Sequence, residues 1–256
     1  LKTIRYGQQF GVEYNREEIK ERMISDKNYS NGEVETELEE MKYPKNIKND
    51  RMALITKVDK TKKIAKRLVI KFPDILMIGI TGSVAAGFPK LNEDIDLMII
   101  VKKDSLWITR ILVEAWMRVN KIPHRKYGAK QIKDDYCINL WLEEGSLELP
   151  INRHGLKNAM DLILMKPIIN KNNIYGSFIN SNSWAKKFVA TGYDRIIFPK
   201  GISQSSTIIM KKPKTNIIKN FINRVMFWGQ YLYMRRKITE ETVDIKRAFF
   251  HPNKRK

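Results

Sequence analysis

A chain of 256 residues has room for one large domain, or for a core with a smaller helical piece. Its 48 Lys+Arg against 28 Asp+Glu give a formal charge of +20, which favours anionic partners such as RNA or DNA, while 33 Lys against 15 Arg gives no sign of base readout by arginine. A single cysteine excludes an internal disulfide, three isolated histidines offer no zinc spacing, and no apolar run reaches the roughly 20 residues that cross a bilayer, so a cytoplasmic protein without signal peptide or membrane span is expected.

Residues 1–50 are polar. Arg16 to Arg22 and Glu33 to Met41 are expected to form exposed helices, divided by the turn cluster Asn28-Tyr29-Ser30-Asn31-Gly32 and closed by Tyr43-Pro44. Glu33, Glu35, Glu37, Glu39 and Glu40 form an acidic island in a basic chain, read as a solvated helix face.

Residues 51–150 carry the chemistry. Lys57 to Phe72 has Ile64, Ala65, Leu68, Val69 and Phe72 at helical spacing and should cover a sheet. Pro73 to Ile80 reads as a buried strand, closed by the turn formers Thr81, Gly82 and Ser83; Val84-Ala85-Ala86 then fits a short helical segment that stops at Gly87. Asp94-Ile95-Asp96-Leu97 runs into Met98-Ile99-Ile100-Val101, a second buried strand. Alternate side chains of a strand share a face, so Asp94 and Asp96 project together and offer oxygen ligands to a hard divalent cation. A strand, a Gly-Ser turn and a helix N-terminus bring backbone N–H groups to where a phosphate could sit. Phosphate cradle plus paired carboxylates implies metal-dependent nucleotidyl transfer. Ser105 to Val119 repeats the helical spacing with Leu106, Ile108, Leu112, Val113 and Trp116. Lys121 to Lys130 is a basic segment that either steers phosphates or is a solvated loop. Tyr136 to Leu142 reads as a third strand and buries Cys137 as a small core residue.

Residues 151–256 read mainly as helices: Leu156 to Met165, stopped by Lys166-Pro167, then Phe178 to Val189, then Asn216 to Arg236. In the last, Ile218, Phe221, Ile222, Val225, Trp228 and Leu232 form one stripe, expected to pack on the core, with Arg224, Arg235, Arg236 and Lys237 on the other face. The same pattern also fits a helix lying in a membrane interface. The basic end Asn253-Lys254-Arg255-Lys256 is expected to be disordered.

The run Ile78 to Gly87 followed by Asn92-Glu93-Asp94-Ile95-Asp96-Leu97 resembles the signature of the DNA polymerase β-like nucleotidyltransferase superfamily. The stretch from about Ile64 to Phe188, with an extension to His251-Pro252, is similar to uncharacterised bacterial nucleotidyltransferase-domain proteins. The resemblance implies an α+β fold: a small mixed β-sheet nucleotidyltransferase core (51–150) flanked by helices, a polar helical N-terminal extension (1–50) and a helical C-terminal region (151–256). It implies that Gly82 and Ser83 hold the β/γ phosphates of an NTP. It also implies that Asp94 and Asp96 hold Mg²⁺ (or Mn²⁺) while an NMP passes to a hydroxyl acceptor.

A third carboxylate normally completes such a site. The position flanked by Ile138 and Leu140 is Asn139, not an acid. Strand alternation puts Asp135, Cys137 and Asn139 on one face, so either Asp135 is the third catalytic residue or the site runs on two carboxylates. Two readings follow: an active nucleotidyltransferase using Asp94, Asp96 and Asp135, or a non-catalytic nucleotide- or RNA-binding protein on the same fold.

Overall fold

The computed structural model describes residues 2–45, 47, 51–90, 92–125, 132–197, 216–236, 238 and 241–250. Helices α1 (Lys2–Gln9), α2 (Arg16–Glu21), α3 (Asn31–Glu40) and α4 (Met52–Lys71) precede the first strand. There follow β1 (Ile75–Ile80), α5 (Gly82–Ala86), β2 (Ile95–Val101), α6 (Leu106–Val119) and β3 (Tyr136–Glu143). The chain continues through α7 (Leu156–Leu164), β4 (Lys166–Asn170), α8 (Ile174–Ser181), α9 (Lys186–Ile197), α10 (Ile217–Met234), β5 (Thr242–Asp244) and β6 (Arg247–Phe249). The mixture of helices with one mixed sheet agrees with the α+β expectation.

The six strands form one sheet in the order β4-β1-β2-β3-β6-β5. Only β2 and β3 run parallel, which the intervening α6 permits; the other pairs are antiparallel. Every residue of β1 and all but one of β2 are buried, so the middle of the sheet is covered on both faces. Ile64, Ala65 and Leu68 of α4 join this core as their spacing predicted. In α6, Leu106 and Val113 do so too, together with Trp107 and Met117, whereas Leu112 of the expected stripe is exposed.

The sheet is larger than the sequence reading allowed. Lys166-Pro167 was expected only to stop a helix, but Lys166–Asn170 pairs with β1 as an edge strand, where a proline's missing N–H costs little. The β5–β6 hairpin, in a region read as helical, extends the other edge next to β3. Phe178 to Val189 is not one helix. The chain turns at fully buried Asn182, whose Oδ1 accepts from Leu149 N (2.8 Å) and Trp184 Nε1 (3.0 Å).

The largest correction concerns α10. Its apolar stripe was expected on the core, yet Ile218, Phe221, Ile222, Val225, Trp228 and Leu232 are all exposed. The opposite face makes the contacts, with Met226, Phe227 and Met234 packed on the core and its amides satisfying buried polar groups. Buried Asn223 accepts from the N–H groups of Trp107 (2.8 Å) and Ile108 (3.4 Å) and donates to Glu143 Oε1 (3.3 Å). Gln230 Nε2 donates to Trp107 O (2.9 Å).

By internal contacts the chain forms two units: Leu1–Arg51, Leu149–Leu164 and Ile179–Ile208 in one, and Met52–Glu148, Met165–Phe178 and Ile209–Lys256 in the other. They alternate along the chain, whereas the sequence suggested three successive regions. In the first unit, α2 and α3 open on capping boxes, Asn15 with Glu18 and Ser30 with Glu33. Neither helix is merely exposed. Arg16, Glu18, Ile19 and Lys20 are buried, as are Val34 and Leu38 between the acids of α3. Glu35 of the acidic island pairs with Arg16 and with Lys20 (2.7 Å to the latter). Gly192 lets α9 meet α2 closely, since a Cβ there would lie 2.6 Å from Glu21 O. The second unit contains the whole sheet and the Gly82-Ser83 turn. Lys126–Lys130, His251-Pro252 and the basic end lie outside the described residues.

Candidate metal and nucleotide site

The turn after β1 and the start of β2 are tied together by backbone. Thr81 N–H donates to Asp96 O (2.9 Å), and α5 begins at Gly82 with φ +64°, a conformation side chains seldom tolerate. A Cβ on Gly82 would stand 2.5 Å from Asp96 Oδ2. Glycine is therefore required twice over, for its backbone angle and for the contact between the turn and the carboxylate. The short helix ends before Gly87 as expected.

Asp94 and Asp96 face the same side. Their ligand atoms and Cys137 Sγ lie within 4.8 Å of one another, with Asp94 and Cys137 buried and Asp96 half-buried. Parallel pairing sets this group: Asp96 stands beside Cys137, and a register shift between Leu97 and Met98 leaves Asn139 as the extra residue of β3. Asn139 Nδ2 donates to Asp96 Oδ1 (2.7 Å) and lies 3.6 Å from Cys137 Sγ. Asp135 is buried, and its carbonyl accepts from Ile95 N–H (2.8 Å). Its carboxylate is not part of the three-residue group; among the described residues the third member is Cys137. Burial, then the neighbouring Asp96 and Asp94, push the Cys137 thiol up to about 12.

Two further residues, missed in the sequence, complete the arrangement. Arg125 Nη1 is 3.2 Å from Asp94 Oδ2 and 3.9 Å from Cys137 Sγ. Arg125 N–H also donates to Tyr136 O (3.0 Å), which fixes this residue against the start of β3. Glu93 accepts the Ser83 hydroxyl (2.6 Å) and Lys90 N–H (3.1 Å), so the serine of the turn is engaged by a carboxylate. The only local signal for Arg125 was its place in a basic segment; its approach to Asp94 depends on strand pairing.

Buried Lys57 on α4 holds both entry loops, donating to Glu93 O (2.6 Å) and to Asp134 Oδ1 (2.7 Å). Lys60 adds a bond to Asp134 Oδ2 (2.9 Å). These bonds, from Lys57 first, hold the Asp134 carboxyl below its ordinary value of 3.8.

The donor set suits a divalent cation in part. Two carboxylates supply hard oxygen ligands; the third donor is the sulfur of Cys137, softer than the oxygens that Mg²⁺ prefers. A separate cavity of about 1000 Å³ in the first unit, lined by Ile19, Val34, Leu38, Met41, Leu156 and Phe188, contains none of these residues. Comparison with protein-family models, curated proteins and solved structures finds no match to this chain.

Proposed function

We propose that the chain is a metal-dependent nucleotidyltransferase, moving an NMP from an NTP to a hydroxyl acceptor in the cytoplasm. The observation that carries this reading is the pair Asp94 and Asp96 converging on one point, with Asp96 pressed against the backbone of the Gly82 turn. Asp94 and Asp96 would hold Mg²⁺ or Mn²⁺, which supplies charge neutralisation on the triphosphate and alignment of the attacking oxygen. Gly82 leaves the turn backbone open to close approach by a phosphate, and the Ser83 hydroxyl donates to phosphate once it leaves Glu93. Before the ion binds, Arg125 holds Asp94 and Asn139 holds Asp96 in place.

The test is incubation of the purified protein with each α-labelled NTP, Mg²⁺ or Mn²⁺, and cell extract. Label transfer is expected, and its loss in the Asp94→Asn/Asp96→Asn double variant. A folded protein that labels nothing with any of the four nucleotides counts against the enzyme.

One specific observation favours a second reading. Cys137 and Asn139 stand where a third acid would, and Asp135 does not join the group. This supports nucleotide or RNA binding without transfer. In that case RNA is retained at low salt and released steeply as salt rises, with no label transferred.

A further inference from the structure

Helix α10 is apolar on two faces: Met226, Phe227 and Met234 pack on the core, and a second apolar set faces outward. Ile217, Ile218, Phe221, Val225, Trp228 and Leu232 are each more than half exposed, from 52% at Val225 and Leu232 to 83% at Ile217. At about 100° per residue they fall within one arc of the helix. The outward mounting is built into the fold, because the inner face is committed through Asn223 and Gln230 to α6 and through Asn220 to Asp104 (2.9 Å).

The charge pattern selects the occupant. From Asn216 to Arg236 there is no acidic residue, while Lys219, Arg224, Arg235 and Arg236 are basic. Arg224 borders the apolar arc, Arg235 and Arg236 follow the last turn, and all three are exposed. A second copy of this chain would set one basic rim against another, on molecules of formal charge +20. Nucleic acid would satisfy the arginines but leave four aliphatic side chains without an apolar partner. A bilayer with anionic headgroups offers both an acyl boundary for the aliphatic residues and negative charge for the arginines, with Trp228 at the level where indole is favoured. No helix among the described residues is long and apolar enough to cross a membrane, so the fitting geometry is a helix lying in the interface.

We propose that the outward face of α10 docks the protein on an anionic lipid surface. This is independent of nucleotidyl transfer and stands or falls without it.

The experiment is co-sedimentation of the full chain with vesicles of phosphatidylcholine alone or mixed with phosphatidylglycerol. The proposal expects binding to the mixed vesicles only, a fall of about tenfold or more in the Phe221→Ser/Trp228→Ser variant, and a smaller, salt-dependent fall in Arg235→Gln/Arg236→Gln. Both variants change exposed side chains, so their melting curves should match the parent. Ile218→Ser/Val225→Ser serves as a second apolar variant should the first melt early. Absence of binding overturns the proposal. So does equal binding by the parent and the apolar variants, which would reduce the attraction to surface charge. Self-association of the parent in light scattering that those substitutions abolish also overturns it, because the face would then belong to a second copy.

Discussion

Gly82 carries a constraint that no other residue type meets. Its φ of +64° costs a side-chain-bearing residue about 1–3 kcal/mol, and a methyl group there would push directly on Asp96 Oδ2. We expect Gly82→Ala to lower stability by about that amount in urea titrations and to reduce Mn²⁺ affinity through the displaced Asp96. A variant as stable as the parent with unchanged Mn²⁺ binding would show that the contact has no consequence. At this scale the sequence was most readable. The Gly-Ser turn and the alternating acids are short-range patterns, and strand geometry alone puts Asp94 and Asp96 on one face. The remaining neighbours are set by pairing between distant segments. Cys137 meets Asp96 through parallel register, and Arg125 arrives through its bond to Tyr136, neither of which has a local signature.

Among the elements, α6 and α10 are joined by an unusual cap. The first N–H groups of α6 find no side chain of their own at Ser105. Instead Glu143, at the end of β3, accepts from Ser105 N (3.1 Å) and Leu106 N (3.2 Å), and Asn223 accepts from the next two. Burial pushes the Glu143 carboxyl up, against the opposing pull of these N–H groups. Asn223→Leu should therefore destabilise by about 1–3 kcal/mol, because it strips two buried donors of their acceptor. Hydrogen exchange should show faster exchange at Trp107 and Ile108, while unchanged protection there would refute the capping role. This cap also explains why the amphipathic reading of α10 gave the wrong inner face. Helical periodicity locates an apolar stripe but not its direction, and here a second apolar set (Met226, Phe227 and Met234) flanks the buried amides and faces the core. The capping boxes of α2 and α3, by contrast, were present as Asn-x-x-Glu and Ser-x-x-Glu, because both partners lie within one turn. The short strands β4, β5 and β6 lack enough residues to show alternation, and only their neighbours in the sheet define them.

For the whole molecule, one cysteine leaves no internal disulfide to form, and composition predicted no bilayer-crossing segment; no described helix is long and apolar enough to be one. It carried no information on how the chain alternates between two units, which depends on contacts between residues far apart in sequence. The pair of buried Lys57 with Asp134 binds α4 to the loops before β2 and β3, so its loss should lower global stability. Asp134 has a depressed value in the fold. Its contribution is complete above the unfolded carboxylate range near pH 4, and is lost as pH falls through the lower folded value. Asp134→Asn should cost about 2 kcal/mol at pH 7, with the gap to the parent closing at strongly acidic pH. A gap that is constant with pH, followed by denaturant midpoints, would remove the ion pair from the account. Glu143 acts in the opposite sense, its share declining as pH rises through its elevated value, and both proteins carry it equally.

The guanidinium resting on Asp94 has one more effect. With Arg125 and the Asn139 amide already attending the two acids, the protein supplies its own counter-charge, and the pocket can assemble during folding without waiting for an ion. On the proposed function, capture of a cation would be an exchange of one positive group for another. If the proposed function holds, chelators should strip the metal without melting the fold, and the arginine displaced from Asp94 would be free to turn towards the NTP.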